Sequence, residues 1–256
     1  MDIGRLPKNL VVLYEPRDAH RRGPRPALSL AAVVGAAIEI ADADGLAGVS
    51  MSKVAERLGY TTMSLYRYVK SKDELLVVMA DAATGEHPPV VNAESWRAGL
   101  AAWTGSIFAT YRRHPWLLQV PMSAPPAGPS QLLWMEAGLQ NLARVDLPIG
   151  HKLQIIQLLH GYARGEAQMS TDLSSLAPDA ATTAGYGEIL RTVTNPATHP
   201  ALCELVASGI FDGPTDYDED VDFGFGLTTI LTGVAQLIEH QARGLVRGTA
   251  GVSTGE

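Results

Sequence analysis

Residues 49–70 read Val49-Ser50-Met51-Ser52-Lys53-Val54-Ala55-Glu56-Arg57-Leu58-Gly59-Tyr60-Thr61-Thr62-Met63-Ser64-Leu65-Tyr66-Arg67-Tyr68-Val69-Lys70. Val54, Ala55 and Leu58 lie at helical spacing behind a serine cap, Ser50 or Ser52, and Gly59 ends that short helix. Thr61 or Thr62 opens a second short helix that carries Leu65 and Val69. The chain must reverse tightly between the two, and glycine adopts the left-handed turn conformation at least cost. Ala55 is small enough to let two helices approach closely. The spacing predicts a helix-turn-helix.

Working outward, Leu30, Val33, Val34, Ala37, Ile38 and Ala41 recur at spacings of three and four after Ser29, which predicts a longer helix that Gly45 stops. On the other side Ser71 caps a helix with Asp73 and Glu74 in its first turn, where acids favour the dipole, and Leu75, Leu76 and Met79 on its inner face. Apolar periodicity continues through 96–113, 131–144, 149–170, 188–194 and 200–208, and a last helix carries Phe223, Leu227, Ile230, Leu231, Val234, Leu237 and Ile238. No alternating run is long enough to build a sheet, so the predicted fold class is all-α. The predicted parts are a basic arm over 1–26, a helix-turn-helix domain over 27–86, a larger helical domain over 90–244, and a flexible tail over 245–256. His87-Pro88-Pro89 marks the boundary between the two domains. In the arm, Pro16, Pro24 and Pro26 interrupt Arg17, Arg21, Arg22 and Arg25 and forbid a long helix. It reads either as a mobile tail or as a segment that reaches a minor groove. Its apolar run 10–14 is a docking segment with no assigned partner.

The 256 residues carry 20 Lys+Arg and 27 Asp+Glu, a net charge of -7, which taken whole points away from nucleic acid. Divided by position the reading reverses. Residues 1–80 hold 11 basic and 9 acidic side chains, a net of +2, and the remainder holds 9 and 18, a net of -9. The one cysteine, Cys203, excludes an internal disulfide. Residues 9–14 are too short for the apolar part of a signal peptide. The apolar run 223–238 falls short of a span and includes Thr228, Thr229, Thr232 and Gln236. The expectation is a cytoplasmic protein with no membrane partner.

On the second short helix the buried positions leave Thr62, Met63, Ser64, Tyr66, Arg67 and Tyr68 facing outward. Arg67 can pair with guanine, Ser64 and Thr62 with bases or phosphates, Met63 with a thymine methyl, and the two tyrosines with phosphates. Lys70 and Lys72 add charge just beyond. Residues 28–80 resemble the DNA-binding domain of TetR-type transcriptional repressors. The resemblance rests on 37–45, 49–59 and 64–76, most specifically on Leu65-Tyr66, Tyr68-Val69 and Lys72 in order. It implies an all-helical homodimer on palindromic operator DNA, released by a small-molecule effector in the C-terminal domain. It assigns Tyr66, Tyr68 and Lys72 to phosphates, and Thr62, Met63, Ser64, Arg67, Ser50 and Ser52 to positions that read or approach bases. The resemblance and the apolar pattern together place the dimer bundle on the runs 149–170 and 223–240, opening on Ile149 and Phe223 and closing on Ser170 and His240.

In the C-terminal half Trp103, Phe108, Tyr111, Trp116, Trp134, Met135, His160, Tyr162 and Met169 form a set that reads either as an aromatic pocket for a hydrophobic effector or as ordinary core. His114, His160 and Arg164 are the polar groups expected to turn inward. The alternative function is a TetR-like DNA-binding protein whose C-terminal domain only dimerises. An all-α enzyme lacks a catalytic constellation. The acidic stretch 212–220 lacks the ligand order of a calcium loop, and no His/Cys set has zinc spacing, so neither metal nor cofactor is expected. Gly251-Val252-Ser253-Thr254-Gly255 spells a nucleophile-elbow pattern with no strand before it and no helix after it, and is discarded.

Overall fold

The computed structural model describes residues 8–14, 28–85, 95–120, 127–174, 183–212 and 219–250. Among these there is no strand, and the fold is all-α. The helices are α1 (Lys8–Tyr14), α2 (Leu30–Asp44), α3 (Met51–Leu58), α4 (Thr62–Leu65), α5 (Lys72–Thr84), α6 (Trp96–Arg113), α7 (Pro129–Asn141), α8 (Ile149–Ser174), α9 (Thr183–Val193), α10 (Pro200–Ala207) and α11 (Glu219–Ala250). Two 3-10 turns, Leu46–Gly48 and Pro115–Gln119, interrupt the series.

Serine fixes where the N-terminal helices begin. The hydroxyls of Ser29, Ser50 and Ser71 accept from the backbone N–H of Ala32, Lys53 and Glu74 at 3.1–3.2 Å, and each satisfies a donor that the first turn leaves orphaned. Ser50 rather than Ser52 is the cap of α3. Val33, Val34, Ala37 and Ala41 on α2 are buried against Val54 and Ala55 of α3, Leu65 and Val69 beyond it, and Leu75, Val78 and Met79 of α5. This is the first of two cores.

The first core includes part of the expected arm. Leu10, Val12 and Leu13 of α1 are buried in it, and α1 packs on α5. The helix has seven residues, and three buried side chains supply the packing that so short a helix needs. The apolar run 10–14 therefore docks on the DNA-binding domain itself. The arginines of the arm and the Pro88-Pro89 boundary lie outside the described residues, as does the 251–255 pattern.

The second core joins α6, α7, α8 and α11. Leu100, Trp103, Ile107 and Phe108 meet Ile155, Ile156, Leu159 and Ala163 of α8, and Phe223, Leu227, Leu231 and Val234 of α11 close the side. Helices α9 and α10 pack on each other, with an Arg191–Asp212 ion pair and an edge-on Tyr186–Phe211 contact across the hairpin. Helix α11 runs to Ala250, past the expected run 223–240 and into the stretch 245–256 expected to be a flexible tail. Its stretch Asp220–Arg243 is long and apolar enough to cross a membrane by length and composition alone, contrary to the count taken over 223–238. One face of it is nevertheless committed to α8 and α6.

Candidate nucleic-acid interface and effector site

The turn after α3 has Schellman geometry. Gly59 sits at φ 73°, ψ 28°, its N–H donates to Glu56 O at 3.0 Å, and Tyr60 N–H donates to Ala55 O at 2.9 Å. The left-handed residue reverses the chain and delivers Thr61 as the cap of α4. Regular helix lasts only from Thr62 to Leu65, and hydrogen-bonded turn continues through Tyr68, whose N–H donates to Leu65 O at 2.8 Å. Fully buried Leu65 and Val69 fasten the segment to the core. Met63 is 75% exposed and Tyr66 45%. Arg67, Lys70 and Lys72 are exposed, and Thr62 and Ser64 are half-buried beside them. The side chains of Ser50 and Ser52 are hydrogen-bonded to each other at 3.2 Å at the start of α3.

The cations of this face differ in availability. Arg57 donates to Glu39 at 2.6 and 3.0 Å, and Lys53 lies 3.6 Å from Asp44. Arg67, Lys70 and Lys72 have no carboxylate partner in an ion pair among the described residues. Of the donors at the start of α5, Lys70 N–H is taken by Glu74 and Glu74 N–H by Ser71. Tyr68 departs from the outward set. It is half-buried, and its hydroxyl donates to Leu28 O at 2.9 Å, so it clips the recognition segment to the start of α2.

The structure divides the expected effector set into separate constellations. Trp103 is buried and its Nε1 donates to Trp134 O at 2.8 Å, while Trp134 Nε1 donates to Gly85 O at 3.2 Å, just past the end of α5. Phe108 and Tyr162 stack on Phe223 at 4.2 and 5.4 Å between centroids, and Tyr162 donates its hydroxyl to Phe223 O. Met135 packs at the edge of this core. Tyr111, His160 and Arg164 form the polar corner: Tyr111 Oη lies 3.3 Å from His160 Nε2, and Arg164 lies over the Tyr111 ring at 5.8 Å. Burial first, and the Arg164 charge second, hold the His160 pKa below its ordinary value. Met169 is exposed and takes no part.

His114 and Trp116 lie elsewhere than expected. Trp116 is 1% exposed and belongs to the first core, and its Nε1 donates to Asp42 Oδ1 at 2.7 Å. His114 Nδ1 lies 2.8 Å from the same oxygen. An indole buried with its N–H on a carboxylate is a structural joint between the domains. The sequence reading also passed over Asp81, and it placed Phe223 on the last helix and the dimer run rather than in the aromatic set. Asp81 is an acid inside the apolar run 75–83, and a carboxylate there needs a buried partner. Its partner is the start of α7. The Ser130 and Gln131 N–H groups and the Ser130 hydroxyl donate to it at 3.1–3.4 Å. The described residues contain no group of three or more side chains that could hold a metal ion.

A tripod of small helices that presents cations and hydroxyls, joined to a helical body with its own aromatic core, is the build of a helix-turn-helix protein with a second helical domain. Comparison with known proteins agrees along the chain. Residues 33–79 match the model of the bacterial regulatory proteins of the tetR family, and residues 88–238 match the tetracyclin repressor-like C-terminal domain. The chain is 39% identical over 246 residues to the HTH-type transcriptional repressor DrrR1 of Streptomyces coeruleorubidus, covering 93% of this chain and 88% of that protein. The fold matches apo ActR of Streptomyces coelicolor with a TM-score of 0.70 at 24% identity, over 85% of this chain and 99% of that one. It matches a TetR variant of Acinetobacter baumannii in complex with minocycline with a TM-score of 0.61 at 20% identity, over 82% and 94%. The chain belongs to the TetR family of transcriptional regulators, and is a DNA-binding repressor of that family.

Proposed function

We propose that the protein binds a palindromic operator as a homodimer and leaves it when a planar aromatic molecule enters the core of the C-terminal domain. The observation that carries the DNA half is the pairing of opposites on one short segment: Leu65 and Val69 fully buried, Met63, Tyr66 and Arg67 exposed beside them. Met63, Ser64, Thr62 and Arg67 then meet base edges, and Tyr66, Lys70, Lys72, Ser50 and Ser52 meet phosphates or flanking bases. Tyr68 supports the segment from behind. In the dimer the two segments enter successive major grooves about 34–36 Å apart. Ile149, Leu153, Leu158 and Met169 of α8, and Phe225 and Leu237 of α11, are exposed apolar side chains on the two runs expected to pair, and the gain from burying them against a second copy supports the dimer.

Two observations support the effector half. The Phe108–Phe223–Tyr162 stack packs flat rings face to face in the buried core, beside the polar corner of Tyr111, His160 and Arg164. The fold neighbours ActR and the Acinetobacter baumannii TetR variant have been crystallised with actinorhodin and with minocycline, both polycyclic. A binding site selected from random DNA, followed by titration with such polycycles and detection by fluorescence anisotropy, tests both halves. Sequence-specific binding with release by at least one polycycle is expected. Absence of any selected site refutes the DNA reading. A selected site that no polycycle disturbs leaves the dimerisation-only function.

A further inference from the structure

The 3-10 turn Pro115–Gln119 belongs to both cores at once. Trp116 and Leu117 are buried in the first, and Leu118, the next residue, is buried in the second. Each end of this short wedge is held by one charged group. On the DNA side Asp42 of α2 accepts from Trp116 Nε1 at 2.7 Å. On the effector side Arg164 of α8 donates through Nη2 to Leu118 O at 2.7 Å. Arg164 is half-buried, lies over Tyr111, and has no carboxylate partner among the described residues. A guanidinium in that setting holds a neutral carbonyl with one of its five N–H donors. An anionic oxygen would engage its planar fork through two charge-assisted bonds and compete strongly.

We infer that Arg164 is both the effector's anion receptor and the latch of the domain joint: an aromatic molecule bearing a carboxylate or an ionised phenol draws the guanidinium off Leu118 O and so releases the wedge that Trp116 and Asp42 couple to α2. The inference rests on the effector reading above and specifies its ligand class and its route. The route is short. Helix α2 packs on α3 and α5, and Tyr68 hangs from Leu28 just ahead of α2, so a shift of α2 re-aims the recognition segment. The ligand works because its anion gains Arg164 only in the state in which Leu118 has lost it, which is the differential affinity any effector requires.

The test uses the full chain labelled with 5-fluorotryptophan, with the Trp116 fluorine resonance assigned through Trp116→Phe. Without DNA or ligand, Arg164→Met is expected to move the Trp116 resonance, and Arg164→Gln, which keeps a donor near Leu118, to move it less. An unmoved resonance in a folded Arg164→Met protein overturns the latch, whatever becomes of the DNA reading. Anthraquinone-2-carboxylate is expected to move the resonance in the wild type and not in Arg164→Met, and anthraquinone-2-carboxamide to move it in neither. Equal shifts from acid and amide, or no shift from the acid at its solubility limit, overturn the anionic assignment. On the selected operator, Trp116→Phe is expected to lower affinity about tenfold, within the usual range of allosteric coupling. Unchanged affinity with unchanged response to the carboxylate overturns the route to α2. Failure to select any operator refutes DNA binding and leaves the fluorine shifts to decide the latch.

Discussion

Asp81 offers the sharpest test of how the two domains are joined. Helix α7 begins after Gly128, which has no side chain to cap it, and Pro129 supplies no N–H. The cap comes instead from another domain: the Asp81 carboxylate takes the Ser130 and Gln131 N–H groups and the Ser130 hydroxyl, at a site where both Asp81 and Ser130 are 6% exposed. Hydrogen bonds to a charged group contribute about 1.5–3 kcal/mol each, and an orphaned buried donor costs about 1–3 kcal/mol. The three donors share one carboxylate and are not additive, so Asp81→Ala should destabilise by about 3 kcal/mol. For a chain of this size that is a fall of about 6–12 °C in Tm at fixed protein concentration. Asp81→Asn retains one acceptor oxygen but turns an amide N–H₂ toward helix donors, and should lie between the wild type and Asp81→Ala.

Gly128 supplies the control. A Cβ on Gly128 would overlap the Asp81 carboxylate, with the Asp81 Cγ only 2.8 Å away, so Gly128→Ala should cost about 1–3 kcal/mol through overpacking. In Asp81→Ala the obstructing group is gone and the new methyl fits. The double variant should therefore be more stable than the sum of the single losses predicts, by about 1–2 kcal/mol, well outside the tolerance for independent sites. Thermal and urea melts of the four proteins close the cycle. Additive losses, or an Asp81→Ala loss below about 0.5 kcal/mol, the ordinary scatter of surface changes, would refute the trans-cap.

The other expectations concern single groups. Tyr68→Phe removes the bond to Leu28 O and should cost about 1 kcal/mol of stability, whereas Tyr66→Phe should leave the melt unchanged and weaken operator binding; the reverse pattern in paired melts and gel shifts would undo their assignment. Gly59→Ala forces a Cβ into a φ of 73° and should cost about 1–2 kcal/mol in urea unfolding; a neutral result would contradict the left-handed turn. His160 has its pKa held below 6.5 by burial and by Arg164, so its neutral ring contributes stability that is complete above pH 6.5 and is lost as pH falls through the folded value; His160→Gln should flatten that part of the stability–pH curve, and superimposable slopes would count against it. Phe225, 77% exposed on α11, should tolerate Glu in the fold but not in the dimer, so light scattering on Phe225→Glu should report a monomer; an intact dimer would move the interface elsewhere.

The parts of this fold that were legible in the sequence are those where one residue type has one physical use. Ser29, Ser50 and Ser71 cap helices because their hydroxyls reach an orphan N–H, Gly59 turns the chain because other residues resist positive φ, and the spacing of Val33, Val34, Ala37 and Ala41 fixes the inner face of α2. The illegible parts depend on where distant segments meet. Tyr68 reads as outward by helical phase, but α4 ends at Leu65, and the turn that follows rotates Tyr68 toward Leu28. Leu10 to Leu13 form a helix only because α5 offers them a surface. The aromatic set could not be divided between ligand site and joint by composition, since Trp116 and Trp103 are equally apolar. Their N–H partners separate them, Asp42 in one case and the Trp134 carbonyl in the other. Asp81 gave a local signal, an acid inside an apolar run, but nothing in the run says which helix end would meet it.

The contacts between the domains are of two kinds, and the difference bears on how a repressor of this build can respond. Apolar surfaces such as those around Leu117 and Met79 resist separation but have no preferred direction, so they allow one domain to slide on the other at little cost. The polar bridges are directional: Asp81 on the start of α7, Asp42 on Trp116, Trp134 Nε1 on Gly85 O and the Tyr14 hydroxyl on Ala127 O. Among the described residues these bridges, with His114 on Asp42, set the angle at which α2 and α5 leave the body, and hence where the recognition segments lie. Three of the four end on a backbone group of the opposite domain or of the 127–131 turn. Two of the bridges connect onward to side chains of the effector core: Trp116 lies two residues before Leu118, whose carbonyl Arg164 holds, and Trp134 accepts at its own carbonyl from Trp103. A molecule in that core would therefore have two short polar routes to the head, one through Leu118 and Trp116 to α2 and one through Trp134 to the end of α5, with the Asp81 and Tyr14 bridges left as the hinge.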